Sequence, residues 1–446
     1  MTVLAHGIGV VRDLPVPKWL FLYGSGVVLV VSFVGLALLW RRPVLEDYRG
    51  GRPLRLVSRV LLSQALRIVL GTISFLLLLL VFATALVGER SELGNLAPTF
   101  VYVVFWLGIV LLSVLFGNIW PSINPWKAAA DGAEWIAGSL GAKSEPLKYP
   151  ERLGVWPAAV ALFMFAALEL AYYDPSDPRA LALAIALYSA YQWIGALLYG
   201  SAAWFPKADA FTVYFGLLAR IAPFGTEDED GRRVIRMRPP FVGLARLRDP
   251  WPGTIAFVAV MLGSVAFDGF SRTTPWMNRR IQQGDIEGSF FNVAGLLIVV
   301  LVAATLYLLA AEASKSLART RLPLERAFVA SLVPIALVYA VSHYFSLFAV
   351  QIQFIVPLLS DPFGFGWDLF GTLDFTPHVA LFTPKTIWYV QVGTLILGHV
   401  AALALAHDRA LALFRESPSR ALRTQYPFLV LMVGYTVGGL YLLSIS

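Results

Sequence analysis

Cysteine is absent from this 446-residue chain, which removes disulfides, thiolate metal sites and cysteine nucleophiles at once. Only six methionines are present, which counts against a thioether path for copper. Charge is scarce as well. Asp, Glu, Lys and Arg make up 14% of the residues, against about a quarter in a soluble globular domain. There is no Walker loop, no dinucleotide fingerprint in a strand–turn–helix setting and no GxSxG elbow. A nucleotide-driven pump, a soluble enzyme and a single-span receptor with a folded ectodomain are all excluded, because no linker can hold an independent domain.

Hydrophobic residues are abundant, at 58%, and they gather into blocks. Each block has roughly twenty apolar residues, the length a helix needs to cross a bilayer. The expected fold is an all-α membrane protein, a single polytopic domain of ten transmembrane helices. The spans fall near 18–40, 68–88, 99–119, 155–173, 178–200, 253–270, 291–312, 327–350, 386–406 and 425–444. Running the first span from outside to inside makes 41–67, 120–154, 201–252, 313–326 and 407–424 the inner connections. These carry 27 of the 35 Lys and Arg residues, a strong positive-inside bias. Both termini then face outside, and the net charge of +7 belongs to a membrane surface and not to a nucleic-acid interface.

The start of the chain lacks a cationic n-region with a short apolar core and cleavage site. The run Trp19 to Trp40, followed by Arg41 and Arg42, is expected to be a retained anchor. With no mitochondrial or lipidation signal, a prokaryotic cytoplasmic membrane is the simplest home. Two inner segments, 124–140 and 207–222, carry apolar residues at helical spacing and are expected to lie in the interface plane. Glu227 to Asp230, followed by Arg232 and Arg233, is expected to be a solvated turn. Gly434 and Gly438, four apart, would let a neighbouring backbone approach the last span closely.

An ionisable side chain in hydrocarbon costs about 2.5–3.5 kcal/mol, so each one marks a candidate site. Span four carries Glu169, with the phenol of Tyr173 four residues on and near the same face. Span six ends with Asp268. Span eight carries Tyr339, His343, Ser346 and Gln353 along one stripe, with Pro334 expected to kink it. Span nine carries Gln391 and, near its middle, His399. Counted from the span ends, Glu169, Asp268, His343, Gln353 and Gln391 lie in the outer half, which predicts a polar cavity reached from outside by a small molecule or ion. His407-Asp408-Arg409 is expected to be an interfacial, structural ending of span nine, and Glu312, with Lys315 and Arg319 on nearby turns, to form an inner-face ion pair. The aromatic loop 359–385 is expected to cover the outer interface, or to act as a lid above Asp374 and His378.

Imidazole and carboxylate together suit Zn²⁺, Mn²⁺ or Fe²⁺, and a bound metal could activate water. With no HExxH motif, His343, Glu169 and Asp268 would have to bind from different helices. Three functions remain open at this point. One is a hydrolase, with His343 as base or metal ligand and the two carboxylates as ligands or orienting groups. Another is a transporter or channel with Glu169, His343 and His399 as relay. The last is an accessory subunit of a respiratory complex, with haem held by His343 and His399.

Several segments resemble a family of actinobacterial-type polytopic membrane proteins named fenitrothion hydrolase. They are His6-Gly7, Asp13-Leu14-Pro15-Val16-Pro17, Trp19-Leu20-Phe21, Asn124-Pro125-Trp126 and Phe267-Asp268-Gly269-Phe270-Ser271. Further on come Ser342-His343-Tyr344-Phe345-Ser346, Trp367-Asp368-Leu369-Phe370-Gly371, Gly398-His399, Ala406-His407-Asp408-Arg409 and Gln425-Tyr426-Pro427. The resemblance runs over nearly the whole chain. It implies a membrane-bound hydrolase of organophosphate triesters.

Overall fold

The computed structural model describes residues 18–141 and 145–443. His6-Gly7 and Asp13–Pro17, which carry part of the resemblance, lie outside the described residues. Eight helical segments are long and apolar enough to cross a membrane: Gln64–Val87, Leu96–Phe116, Glu151–Leu170, Pro178–Tyr199, Thr254–Ser271, Asp285–Ala318, Leu324–Ser360 and Pro384–Leu413. Two more apolar helices, Lys18–Leu39 and Tyr426–Leu443, pack against each other and against Pro384–Leu413. The architecture is that of a multi-pass membrane protein.

Lipid, not water, explains which side chains face outward. In Gln64–Val87 the exposed positions include Ile68, Ile73, Leu76 and Leu86, while the buried ones are Gly71, Val81, Thr84 and Ala85. Small residues lie between helices and large ones outside, because tails as apolar as leucine leave close packing to drive helix association. Side-chain oxygens of Ser63, Asn95, Asp177 and Thr383 accept hydrogen bonds from the first turns of the helices that follow them.

The connections meet at two ends. At one, rich in arginine, Asp47 pairs with Arg415, Glu46 with Arg248 and Arg409, and Arg420 donates to the carbonyls of Ala318 and Arg319. Lys315 bridges Glu312 at 3.2 Å and Glu325 at 2.7 Å. At the opposite end the Glu89 amide donates to Phe363, and Arg179 donates to the carbonyls of Ala85 and Gly88.

His407-Asp408-Arg409 ties the basic end together, as its expected structural role requires. The Asp408 carboxylate, fully buried, accepts from the Trp40 indole and from the amides of Val44, Leu45 and Glu46. The His407 ring bridges the Gln425 side chain and the Trp40 carbonyl, both at 2.9 Å.

Three expectations are corrected. The acidic–basic stretch is not a bare turn but a hairpin: β2 (Phe224–Glu229) pairs antiparallel with β3 (Arg232–Met237) around Asp230-Gly231, both with positive φ. With β1 (Arg52–Pro53) it forms a small sheet in the order β1-β3-β2. The close approach on the last helix is at Gly439, not at Gly434 or Gly438. A Cβ at Gly439 would fall on the Tyr339 hydroxyl, whereas one at either of the others meets nothing within 4 Å.

The third correction concerns 207–222, which does not lie in the interface plane. It belongs to a re-entrant pair of short helices, Ser201–Ala208 and Ala210–Leu218, broken at Asp209. The first climbs back along Pro178–Tyr199. Trp204 stacks on Tyr199 and donates to Gln192, and Tyr191 donates to the Ala208 carbonyl. Asp209 is level with Tyr188, eleven residues from the helix end, or about 16 Å at 1.5 Å per residue. The second helix descends from Phe211 towards Gly117 and the sheet. Phe211, Tyr214, Phe215 and Leu218 are buried, so their spacing marks an interior helix. Backbone breaks at such depth are tolerated only inside protein. In contrast, Pro125–Ser139 is two-faced: Pro125, Trp126 and Ala130 pack inward, and Trp135 and Ile136 stay exposed.

Candidate functional site

The two central helices, Thr254–Ser271 and Val333–Gln351, supply the most polar cluster among the predicted positions. Asp268 stands in the last turn of the first helix and is 2% exposed. One carboxylate oxygen contacts Nε2 of His343 on the second helix. The Arg272 guanidinium, one turn on from Asp268, reaches the same carboxylate at 3.1 and 3.3 Å and lies 3.2 Å from the His343 Nε2. Arg272 follows the helix end and was not singled out from the sequence. Its signal is the i,i+4 spacing from a span-end aspartate.

Glu169 joins this group from Trp156–Leu170. Its Oε1 accepts a hydrogen bond at 3.1 Å from the hydroxyl of Tyr344, the residue next to His343. The expected partner, Tyr173, is elsewhere. The helix ends at Leu170, so the i+4 relation is lost, and Tyr173 packs half-exposed on Tyr172.

Glu169 and Tyr344 line a cavity of about 40 Å³, with Tyr102, Leu107, Gln351 and the loop residues Glu92 and Ser176. That is room for a few waters. Glu92, at its rim, has its carboxyl held above the usual range, first by partial burial and then by the charge of Asp174. Tyr102 belongs to Phe100–Gly108, where the helix widens to a π-helical turn, a form frequent at functional sites.

The remaining predicted positions diverge. Tyr339 points to the last helix, donating to the Tyr435 carbonyl. Gln353 exchanges hydrogen bonds with the backbone of His378, and His378 itself is exposed. Ser346 is buried beside the cluster without joining it. Gln391 contributes only its carbonyl, which accepts from Ser342.

His399 is fully buried, bonded to the Leu395 carbonyl. The helix register sets Ser342 against Gln391 and Gly398 against Val338. His399 is therefore level with Val338, about 7 Å along the axis from His343. Each ring is engaged through one nitrogen, His343 by Asp268 and His399 by the Leu395 carbonyl. Among the described residues no three His, Asp or Glu side chains gather as a metal needs. The cation beside Asp268 is the guanidinium of Arg272.

A second polar node converges on Asp209, which the sequence reading did not single out. Asp209 is completely buried, and its carboxylate accepts from Asn124 at 2.7 Å, Tyr188 at 2.5 Å, Gln192 at 3.1 Å and Thr212 at 2.5 Å, and from the Phe211 amide. Asn124, Tyr188 and Gln192 stand out in the sequence as polar residues, but Asp209, bracketed by apolar residues in a segment assigned to a connection, does not. Asn124 and Thr212 also line a cavity of about 2020 Å³ whose wall carries Arg55, Arg59, Arg220 and Arg238.

Between the two cavities lies a wall of rings. Tyr214 stacks on Trp106 at 4.7 Å, Trp106 meets Phe165 at 4.8 Å, and Phe165 meets Phe211 at 5.3 Å. Trp106 also packs on the residues around Tyr344.

No family model matches the chain, and neither the curated proteins nor the solved structures contain a significant match to it.

Proposed function

We propose that this chain is a ten-span carrier of a small solute in a prokaryotic cytoplasmic membrane, with its basic end inside. Glu169 and the Asp268–His343 pair are its proton-exchanging groups. The observation that carries this reading is the pair of cavities, one reaching in from each end, with the ring contact of Trp106, on the span Leu96–Phe116, and Tyr214, on the re-entrant pair, between them. Broken helices at membrane depth are the usual material of a solute path. A carboxylate, an imidazole and a guanidinium sharing one buried site exchange a proton at low cost, because each protonation state keeps a partner.

The test is flux. Protein reconstituted in sealed vesicles with an entrapped pH dye is given a pH gradient and a panel of small organic anions and cations. A solute-dependent change in lumenal pH that Glu169→Gln abolishes supports the carrier. No flux with any solute, together with turnover of an organophosphate triester in detergent, replaces it with the hydrolase.

That hydrolase is the second reading, and the His343–Asp268 contact is what favours it. An imidazole oriented by a buried carboxylate is the arrangement of a general base, and the Arg272 guanidinium, 3.2 Å from the ring, is a cationic donor of the kind that stabilises an oxyanion. It requires no gradient, which separates it from the carrier in a single assay.

A further inference from the structure

The large cavity at the basic end carries more cation than its carboxylates neutralise. Arg55 pairs with Glu229, and Lys127 with Asp131. Its wall also holds Arg220 and Arg238, which converge on Gly243. The Arg220 guanidinium donates to the Gly243 carbonyl at 3.3 Å, and the Arg238 guanidinium crosses the faces of Gly225 and Gly243, where a Cβ would collide with it. Those two glycines make a slot that brings the guanidiniums together.

Arg238 is poorly compensated there. Its side chain is 11% exposed, its nearest carboxylate is Glu227 at 3.9 Å, and its Nε is buried with no partner. Glu227 is itself drawn more closely to Arg246, at 2.6 Å, and to Arg236. Arg220, by contrast, is open to the cavity. A nearly buried guanidinium so loosely held by its carboxylate is costly, and a second cation on the same wall adds repulsion.

We propose that this cavity binds a phosphate-type oxyanion between Arg220 and Arg238. Two planar forks approaching from different sides offer more donors than one carboxylate accepts, and they suit a tetrahedral group with three or four oxygens. Two sources share this chemistry: soluble phosphate compounds and the headgroup of an anionic lipid, whose chains would follow Leu62, Leu66 and Leu70 on the same wall. The site stands whether the chain carries a solute or cleaves an ester.

Thermal melting of the full-length protein tests it. In neutral detergent, inorganic phosphate is titrated against chloride at constant ionic strength. In parallel, discs of phosphatidylcholine are compared with discs containing phosphatidylglycerol. A saturable rise in melting temperature with phosphate identifies a soluble oxyanion, and a rise confined to phosphatidylglycerol identifies the headgroup. Either effect should weaken at least tenfold in Arg238→Gln and change less than twofold in Arg59→Gln, a cation of the same cavity away from the pair. Glu227→Gln removes the competing carboxylate and should tighten binding severalfold, which keeps the test open if Arg238→Gln misfolds. No shift in either medium, equal weakening in Arg59→Gln and Arg238→Gln, or no tightening in Glu227→Gln overturns the site.

Discussion

The carboxylate of Asp268 and the imidazole of His343 touch across the crossing of the two central helices, with Arg272 closing the group from one turn further on. Three ionisable side chains are thereby reduced to one compact, nearly neutral cluster inside apolar surroundings. Removing different members should have unequal effects. Asp268→Ala leaves a guanidinium and an imidazole without their carboxylate and should cost about 3–5 kcal/mol. His343→Ala leaves the Asp268–Arg272 pair intact and should cost about 1–3 kcal/mol. Denaturation of the purified protein followed by helical circular dichroism ranks the two, and an equal loss would refute the shared-carboxylate arrangement.

Asp209 should matter as much to stability as any residue of that cluster. Asp209→Ala strands Asn124, Tyr188, Gln192 and Thr212 in the interior without an acceptor, at roughly 1–3 kcal/mol for each donor left unpaired. Asp209→Asn keeps one acceptor oxygen and should be milder. Limited proteolysis of 200–222 in the two variants checks whether the re-entrant pair loosens first.

At the last helix, Gly439→Ala should destabilise by about 1–3 kcal/mol, since the new methyl falls on the Tyr339 hydroxyl. Tyr339→Phe removes that oxygen and should recover part of the loss when combined with it, a coupling a double-mutant cycle measures. Gly434→Ala and Gly438→Ala, with nothing within 4 Å of the added carbon, should melt like the parent protein.

Glu92 makes the rim of the smaller cavity sensitive to pH. Partial burial and Asp174 raise its folded-state pKa above the unfolded value, so the ionised form is the disfavoured one in the fold. Local stability should therefore rise as pH falls through that raised pKa, and be lost above it. Hydrogen exchange of residues 88–95 across this range reports it. In Glu92→Gln the protection should stay at its low-pH level throughout.

Length and hydrophobicity alone determined that this is a multi-pass helical membrane protein. A run of twenty apolar residues has one favourable arrangement in lipid, because every backbone group must find its partner within the helix. Composition likewise marked Glu169, Asp268 and His343, since a charge in such a run is expensive enough to stand out. The structural role of His407-Asp408-Arg409 was legible for the same reason, at the place where apolar sequence gives way to charge.

Tertiary structure decided everything that depends on which faces meet. Helical spacing is identical for a helix lying on a membrane and one buried within a bundle, so the re-entrant pair and its Asp209 node read as an interfacial helix until their neighbours were known. A stripe fixes direction around one axis but not the register between two. Register is what joined His343 to Asp268 and left His399 level with Val338, and what made Gly439, not Gly434 or Gly438, the point of closest approach.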